Sequence, residues 1–374
     1  MINTNDKIRW GWPGVKILDR YILRKFLGTY FFAIAMIIII VVVFDYVEKV
    51  DDFTELKAPF KAIVFDYYLN FIPFFINQFS GLFTFIACIF FTSKLAYQTE
   101  ITAMLSGGMS FRRLMWPYFL GALTISLLSL TLSLWVIPYT QRTLVGFEQQ
   151  YRKNRQNFQY DRHIYRQIEP GTFAYVRDFS KTSSQARYLS LEEYKDGVIV
   201  RSIEAQDAKF DPETRRWSAS RYIRRSCDSL GNETFTQHRN LDTLINLDIN
   251  ELGRIHELIK TMTITELNSF LDQQRSKGSD AIALIEVEQQ ARFAYPIATF
   301  ILTLIGVSLS SRKVRGGTGL HIGIGIALCF SYILFNRFFE EFAKGGALPP
   351  RLAVWVPNLI FLVIAIRLYR KAPK

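Results

Sequence analysis

Apolar residues gather in six long runs, and one polar stretch divides them three and three. The runs cover residues 31–44, 71–91 and 114–137, then 293–309, 321–335 and 352–366; the polar stretch covers 161–292. Runs approaching 20 residues with almost no charge match the thickness of a bilayer's hydrocarbon core. Six transmembrane helices are expected, with a water-soluble domain inserted between the third and fourth. The expected division is 1–140 (an interfacial helix and spans one to three), 141–290 (the inserted domain with a helical connector) and 291–374 (spans four to six).

Finer patterns refine that frame. Residues 17–30 read as an amphipathic interfacial helix, with Leu18, Tyr21, Ile22 and Phe26 on the apolar face and Asp19, Arg20, Arg24 and Lys25 on the polar one. Asp45 falls near the outer end of span one, where a solvated carboxylate is expected. Pro73 predicts a kink in span two. Asn70, Asn77 and Gln78 read as interhelical hydrogen-bonding groups. In the loop 93–113, residues 95–105 have helical composition, and Gly107-Gly108 stand where a C-cap belongs. Such a short helix between two spans suits docking to another protein, and equally suits a plain connector. Ile137-Pro138 is expected to close the third span. Segments 172–176, 187–193, 198–203, 205–210 and 216–223 have strand character, with a turn at Asp211-Pro212-Glu213-Thr214, and predict an all-β sandwich or jelly roll. Thr263-Ile264-Thr265-Glu266 is a capping box opening a helix that runs to about Ser276, with Gly278 ending it. Gly323 and Gly325 suit close helix contact, and Pro349-Pro350 begins the sixth span.

Charge adds an orientation. The 374 residues carry 45 Lys and Arg against 33 Asp and Glu, a formal +12. That excess can mark nucleic-acid binding, but here it concentrates at membrane boundaries: Lys7–Lys25 before span one, Lys94, Arg112 and Arg113 between spans two and three, Arg312, Lys313 and Arg315 between four and five, and Arg367–Lys374 after six. The remaining short loops are acidic or mixed. The positive-inside rule then predicts both termini in the cytoplasm and the inserted domain on the far side. The basic N-terminus leads into a full-length span and reads as an uncleaved anchor. Cys88, Cys227 and Cys329 offer no disulfide framework.

Catalytic motifs fail one by one. His256-Glu257 begins like H-E-x-x-H but lacks the second histidine, and no G-x-S-x-G occurs. Leu105-Ser106-Gly107-Gly108-Met109 looks like the signature of ABC ATPases, yet the chain has no P-loop to cradle phosphates. An enzyme acting alone, a cofactor and a metal are all unsupported. Two readings remain: a transport permease driven by a separate ATPase, or a non-transporting scaffold or sensor whose outer domain binds a partner.

The motifs together resemble a known family. Leu18-Asp19-Arg20-Tyr21-Ile22, the loop around Glu100, Met104, Leu105, Ser106 and Gly107, the stretch Ala208-Lys209-Phe210-Asp211-Pro212 with Trp217, and Leu348-Pro349-Pro350 occur in the order seen in the LptF/LptG permeases of lipopolysaccharide export (the YjgP/YjgQ family), and look more like LptG than LptF. The resemblance implies a heterodimer with an LptF-type permease on an LptB-type ATPase dimer. It implies a cavity that takes lipopolysaccharide from the outer leaflet of the inner membrane, and a periplasmic β-jellyroll continuing into LptC- and LptA-like bridge proteins. It also implies that Glu100 is the coupling-helix carboxylate facing a basic group on the ATPase. Some members place a lysine at the outer end of span one, against lipid A phosphate. Here the aligned residue is Asp45, so Lys49, Lys57, Lys61 and Arg337 become the expected sources of positive charge for the glycolipid.

Overall fold

A computed structural model describes residues 16–151, 160–161, 164–169, 171–180, 183–195, 198–211, 214, 216–227, 232–245, 255–276, 281–311 and 318–372. Among the described residues, six helices are long and apolar enough to cross a membrane: α1 (Ile17–Glu55), α2 (Phe60–Tyr97), α4 (Phe111–Tyr151), α7 (Ile282–Ser310), α8 (Thr318–Lys344) and α9 (Pro350–Lys371). A short helix, α3 (Glu100–Ser106), lies between α2 and α4. Two more, α5 (Ile255–Thr261) and α6 (Ile264–Ser276), return the chain from the inserted domain. The helical membrane protein with an inserted β domain, expected from the pattern, is what the chain forms.

Several boundaries differ from expectation. The interfacial helix and span one are a single rod, α1, of 39 residues, about 58 Å at 1.5 Å per residue. Its buried stripe is Asp19, Ile22, Phe26, Tyr30 and Ile34, so Asp19 lies on the packed side rather than the polar one, while Leu18 and Tyr21 are partly exposed. Pro138 does not close the third span, since helix continues from Ile137 to Tyr151. The reason lies just upstream, where Leu132–Val136 is a turn of π-helix. Its wider ring accommodates the proline, which can neither donate a hydrogen bond nor sit against a tight preceding turn. A second π turn, Ile63–Tyr68, opens α2.

The packing order is legible from contacts. α1 packs on α2 and α4, α7 occupies the middle against α2, α4, α8 and α9, and α8 and α9 pack on each other. A Cβ at Gly325 would overlap the end of the Ile89 side chain, so the glycine lets α8 lie against α2 without displacing that side chain; Gly323 faces open space. Pro350 is the first residue of α9, as expected.

The inserted domain is one antiparallel sheet of strands β1 (Tyr160–Asp161), β2 (Ile164–Glu169), β3 (Thr172–Ser180), β4 (Gln185–Lys195), β5 (Val198–Asp211), β6 (Arg216–Cys227) and β7 (Glu233–Leu244). β3 to β7 pair in sequence order, and β1 and β2 lie end to end along the free side of β3. A flat sheet would hold β3 and β6 about 14 Å apart, at about 4.8 Å per strand. Yet the rings of Phe179 on β3 and Trp217 on β6 stand 5.9 Å apart, so the sheet rolls over onto itself. That roll encloses its own core of Val176, Phe179, Leu189, Ala205, Phe210, Trp217 and Leu241.

The roll has a visible cause. Asp178, Asp207 and Asn240 take positive φ of 53°, 52° and 60°, a conformation that Asp and Asn tolerate better than other side chains. The pairing lapses on each strand here, between Arg177–Tyr188 and Phe179–Ala186, for example; carried through those gaps, the registers set Asp178 level with Arg187, Arg187 with Asp207, Asp207 with Ser220 and Ser220 with Asn240. The left-handed residues therefore form one line straight across the sheet. Core positions change parity on crossing it: Val176 then Phe179, Ala186 then Leu189, Ala205 then Ala208, Ala219 then Tyr222. The strand signals at 198–203 and 205–210 fall in one strand, β5, whose crease at Asp207 lies inside the second of them.

Candidate functional site

At one end of the bundle, α3 lies across the ends of α1, α2 and α4. Gln98 and Thr99 break it from α2, with Thr99 at φ 62°; the helical signal over 95–105 thus belongs to two helices rather than one. Ile101 is fully buried, and Met104, Leu105 and Met109 pack on the same core as Ile22, Phe26, Leu95 and Leu114. The end of α3 has the paired-bond C-cap expected of Gly-Gly. Gly108 N–H donates to Leu105 O at 3.1 Å, Met109 N–H donates to Met104 O at 3.2 Å, and Gly108 carries the positive φ of 86°. Thr102, Ala103, Ser106 and Gly107 face outward. Glu100 stands at the first turn, its carboxylate accepting a hydrogen bond from Tyr21 Oη at 3.2 Å. The five residues singled out in this loop form one ridge, apolar beneath and small or polar above.

A buried ion pair fixes the foundation of that ridge. Arg113, at the start of α4, donates to both oxygens of Asp19 at 2.8 and 2.5 Å, and Lys16 N–H adds a third bond at 2.8 Å. The Asp19 side chain is only 4% exposed. This pairing was not read from the sequence. Its signal was a lone acid three residues before Ile22, on the stripe that continues through Phe26 and Tyr30.

At the other end of α1, Asp45 is not solvated. It pairs with Lys49 one turn on and accepts hydrogen bonds from Tyr67 and Tyr68, each at 3.3 Å; Lys49 also donates to Tyr67. Both side chains are about nine-tenths buried. The two tyrosines come from the π turn of α2, and Phe53 and Phe147 close over Tyr67. Lys49 is therefore neutralised within the fold. Lys57 and Lys61 are exposed nearby in sequence. Arg337 belongs to a different place.

That place is a cavity of about 360 Å³ among α2, α4, α5, α7 and α8. Asn77, Gln78, Lys260, Arg337 and Lys344 line it. Glu340 accepts hydrogen bonds from Tyr295 and, at 3.3 Å, from Arg337, whose side chain stays half exposed. Lys260 holds its ammonium 5.3 Å from the Phe74 ring centroid. Asn77 accepts from Ser129 at 2.6 Å, which bears out its reading as an interhelical bond; Asn70 instead bonds back to Phe65 and Asp66 carbonyls of its own helix.

Two arginines join this region to the inserted domain. Arg292 of α7 donates to the carbonyls of Met262 and Ile259 at 2.8 and 2.9 Å. Arg142, on the extension of α4, donates to Thr261 O at 2.9 Å and to Glu266 at 2.5 Å. Between them they clasp the carboxyl end of α5, where unpaired carbonyls attract cations. The capping box holds as expected, with Thr263 N–H to Glu266 at 2.8 Å and Glu266 N–H to Thr263 Oγ1 at 3.4 Å. The Thr263 amide, reinforced by Arg142, holds the Glu266 carboxyl below its ordinary value.

Six apolar helices, a short helix at one end and a rolled β domain at the other define a helical membrane protein with an inserted β domain. The family model for the lipopolysaccharide export system permease LptF/LptG matches residues 20–371, and the chain belongs to that family. Among similar proteins is the lipopolysaccharide export system permease protein LptG of Haemophilus influenzae, 19% identical over 355 residues, which span 94% of this chain and 97% of that protein.

Proposed function

We propose that this chain is the LptG-type transmembrane subunit of an ATP-driven lipopolysaccharide exporter in the bacterial inner membrane. An LptF-type permease pairs with it, and an LptB-type ATPase dimer binds at the α3 end, which faces the cytoplasm with both termini. The β roll stands in the periplasm, where the outer edge of β7, unpaired among the described residues, continues the path into LptC- and LptA-like bridge proteins. The supporting observation is α3 itself. A seven-residue helix is anchored through Ile101, capped by Gly108, presents small side chains outward, and has its Glu100 carboxylate steadied by Tyr21. Such a rigid knob transmits a push from the ATPase into α1, α2 and α4 together. Among the glycolipid-contact candidates Asp45, Lys49, Lys61 and Arg337, Arg337 is favoured. Asp45 and Lys49 satisfy each other within the fold, whereas Arg337, though bonded to Glu340, stays half exposed beside a cavity that Lys260 also lines.

The test is co-purification of the tagged chain with its ATPase from mild detergent, followed by ATPase turnover of the complex. Glu100→Ala should weaken association by about 1.5–3 kcal/mol, the worth of a charged hydrogen bond, and Glu100→Arg should weaken it further. Unchanged association in both variants removes α3 as the coupling element. No ATPase under several detergents favours the scaffold reading instead.

A further inference from the structure

Along the first four turns of α1 runs an open groove of about 760 Å³, lined by Arg20, Tyr21, Arg24, Lys25, Thr29 and Phe32 with Phe90 of α2 opposite. Its chemistry changes along its length. Arg20, Arg24 and Lys25 stand at one end, and none makes an ion pair among the described residues. Phe32 and Phe90 stand at the other, 68% and 55% exposed. From Arg20 to Phe32 is about 18 Å of helix, which crosses from the basic flank of α1 into its apolar run. The floor between is low, because a side chain at Gly28 would meet nothing within 4 Å. Generic surface basicity does not require this arrangement. Three cations that make no ion pair among the described residues share one groove with two exposed aromatic rings.

We propose that this groove is a binding site for an anionic phospholipid of the leaflet that meets the start of α1. Its phosphate lies among Arg20, Arg24 and Lys25, and its upper acyl chain lies on Phe32 and Phe90. Cations at this depth attract anionic headgroups, and the rings supply a contact that soluble anions cannot use. Tyr21 lines the groove and also donates to Glu100. Insofar as the proposed coupling role of α3 holds, the lipid abuts the residue that steadies it, so headgroup occupancy tunes coupling; the lipid site itself does not depend on that role.

Native mass spectrometry of the full chain, released from nanodiscs of equal phosphatidylglycerol and phosphatidylcholine, tests the site. The wild type should retain phosphatidylglycerol selectively. Arg20→Gln, Arg24→Gln and Lys25→Gln, made singly and together, should reduce retention about fivefold per cation removed. Phe32→Ser with Phe90→Ser should reduce it with the charge unchanged. A control removing equal charge from the end of α9, Arg367→Gln with Arg370→Gln and Lys371→Gln, should retain the lipid. Equal loss in the control, or displacement of the lipid by millimolar inorganic phosphate, overturns the proposal. Melting curves of each variant separate lost binding from lost folding.

Discussion

α1 and α7 are both apolar helices, and they use that character in opposite ways. The most apolar stretch of α1 contains the run Met36-Ile37-Ile38-Ile39-Ile40-Val41-Val42-Val43-Phe44, yet only 17% of that stretch is buried within the fold. The corresponding stretch of α7 is interrupted by Thr299, Thr303, Gly306, Ser308 and Ser310, and 67% of it is buried. In water the ranking would be reversed. In a bilayer, lipid tails solvate isoleucine as well as a protein core does, so large aliphatic side chains gain little by turning inward. Small and hydroxyl-bearing residues let helices approach and exchange hydrogen bonds. Ser126 Oγ donates to Pro296 O at 2.9 Å and Asn358 to Ala294 O at 3.2 Å, both onto α7. α1 is instead pinned near its two ends by polar contacts, Asp19–Arg113 at one and Asp45 with Tyr67 and Tyr68 at the other.

Breaking a pin should therefore hurt most. Arg113→Ala leaves Asp19 buried without its partner and should cost about 3–5 kcal/mol, read as a lowered unfolding midpoint in detergent; Arg113→Lys, which keeps one charge but not the two-pronged bond, should recover part of it. Ala298→Leu, at a site only 2% exposed on α7, should cost about 1–3 kcal/mol by overpacking. Ile39→Ala, at a site 65% exposed on α1, should change stability by less than about 0.5 kcal/mol. A loss at Ile39 as large as that at Ala298 would mean that α1 is packed as α7 is. The smallest effect depends on pH. Glu266 has a folded pKa held below its ordinary value, so its bonds to Thr263 and Arg142 contribute fully above the unfolded carboxylate range, about pH 4.3. They are lost as pH falls through the lower folded value. Amide exchange at the first turn of α6 should rise in that window, relative to the intrinsic rate, while the last turn stays unchanged; no difference between the two ends would detach Glu266 from the cap.

The same contrast explains what could be read from sequence. Length and apolarity announce spans, so all six appeared in the pattern. Local chemistry announces caps, so Gly107-Gly108 and Thr263–Glu266 were legible three to six residues at a time. Partners distant in sequence were not. Asp19 meets Arg113 across 94 positions, and nothing near either residue names the other. The π turn at Leu132–Val136 carries no residue signature, so Pro138 was taken as a stop. The first eight residues of β7, Glu-Thr-Phe-Thr-Gln-His-Arg-Asn, form an exposed edge and lack the alternation by which half-buried strands are recognised. Asp45 illustrates the reverse error. A carboxylate near an interface looks solvated until a π turn brings two tyrosines to it.

The line of Asp178, Asp207 and Asn240 has a mechanical meaning. A sheet folded along one straight line is compliant about that line and stiff in every other direction, as a creased card is. The two flaps of the β domain keep their own ladders on either side of that line, where regular pairing lapses, and close over one shared core. Three ordinary side chains, with no glycine among them, set that line.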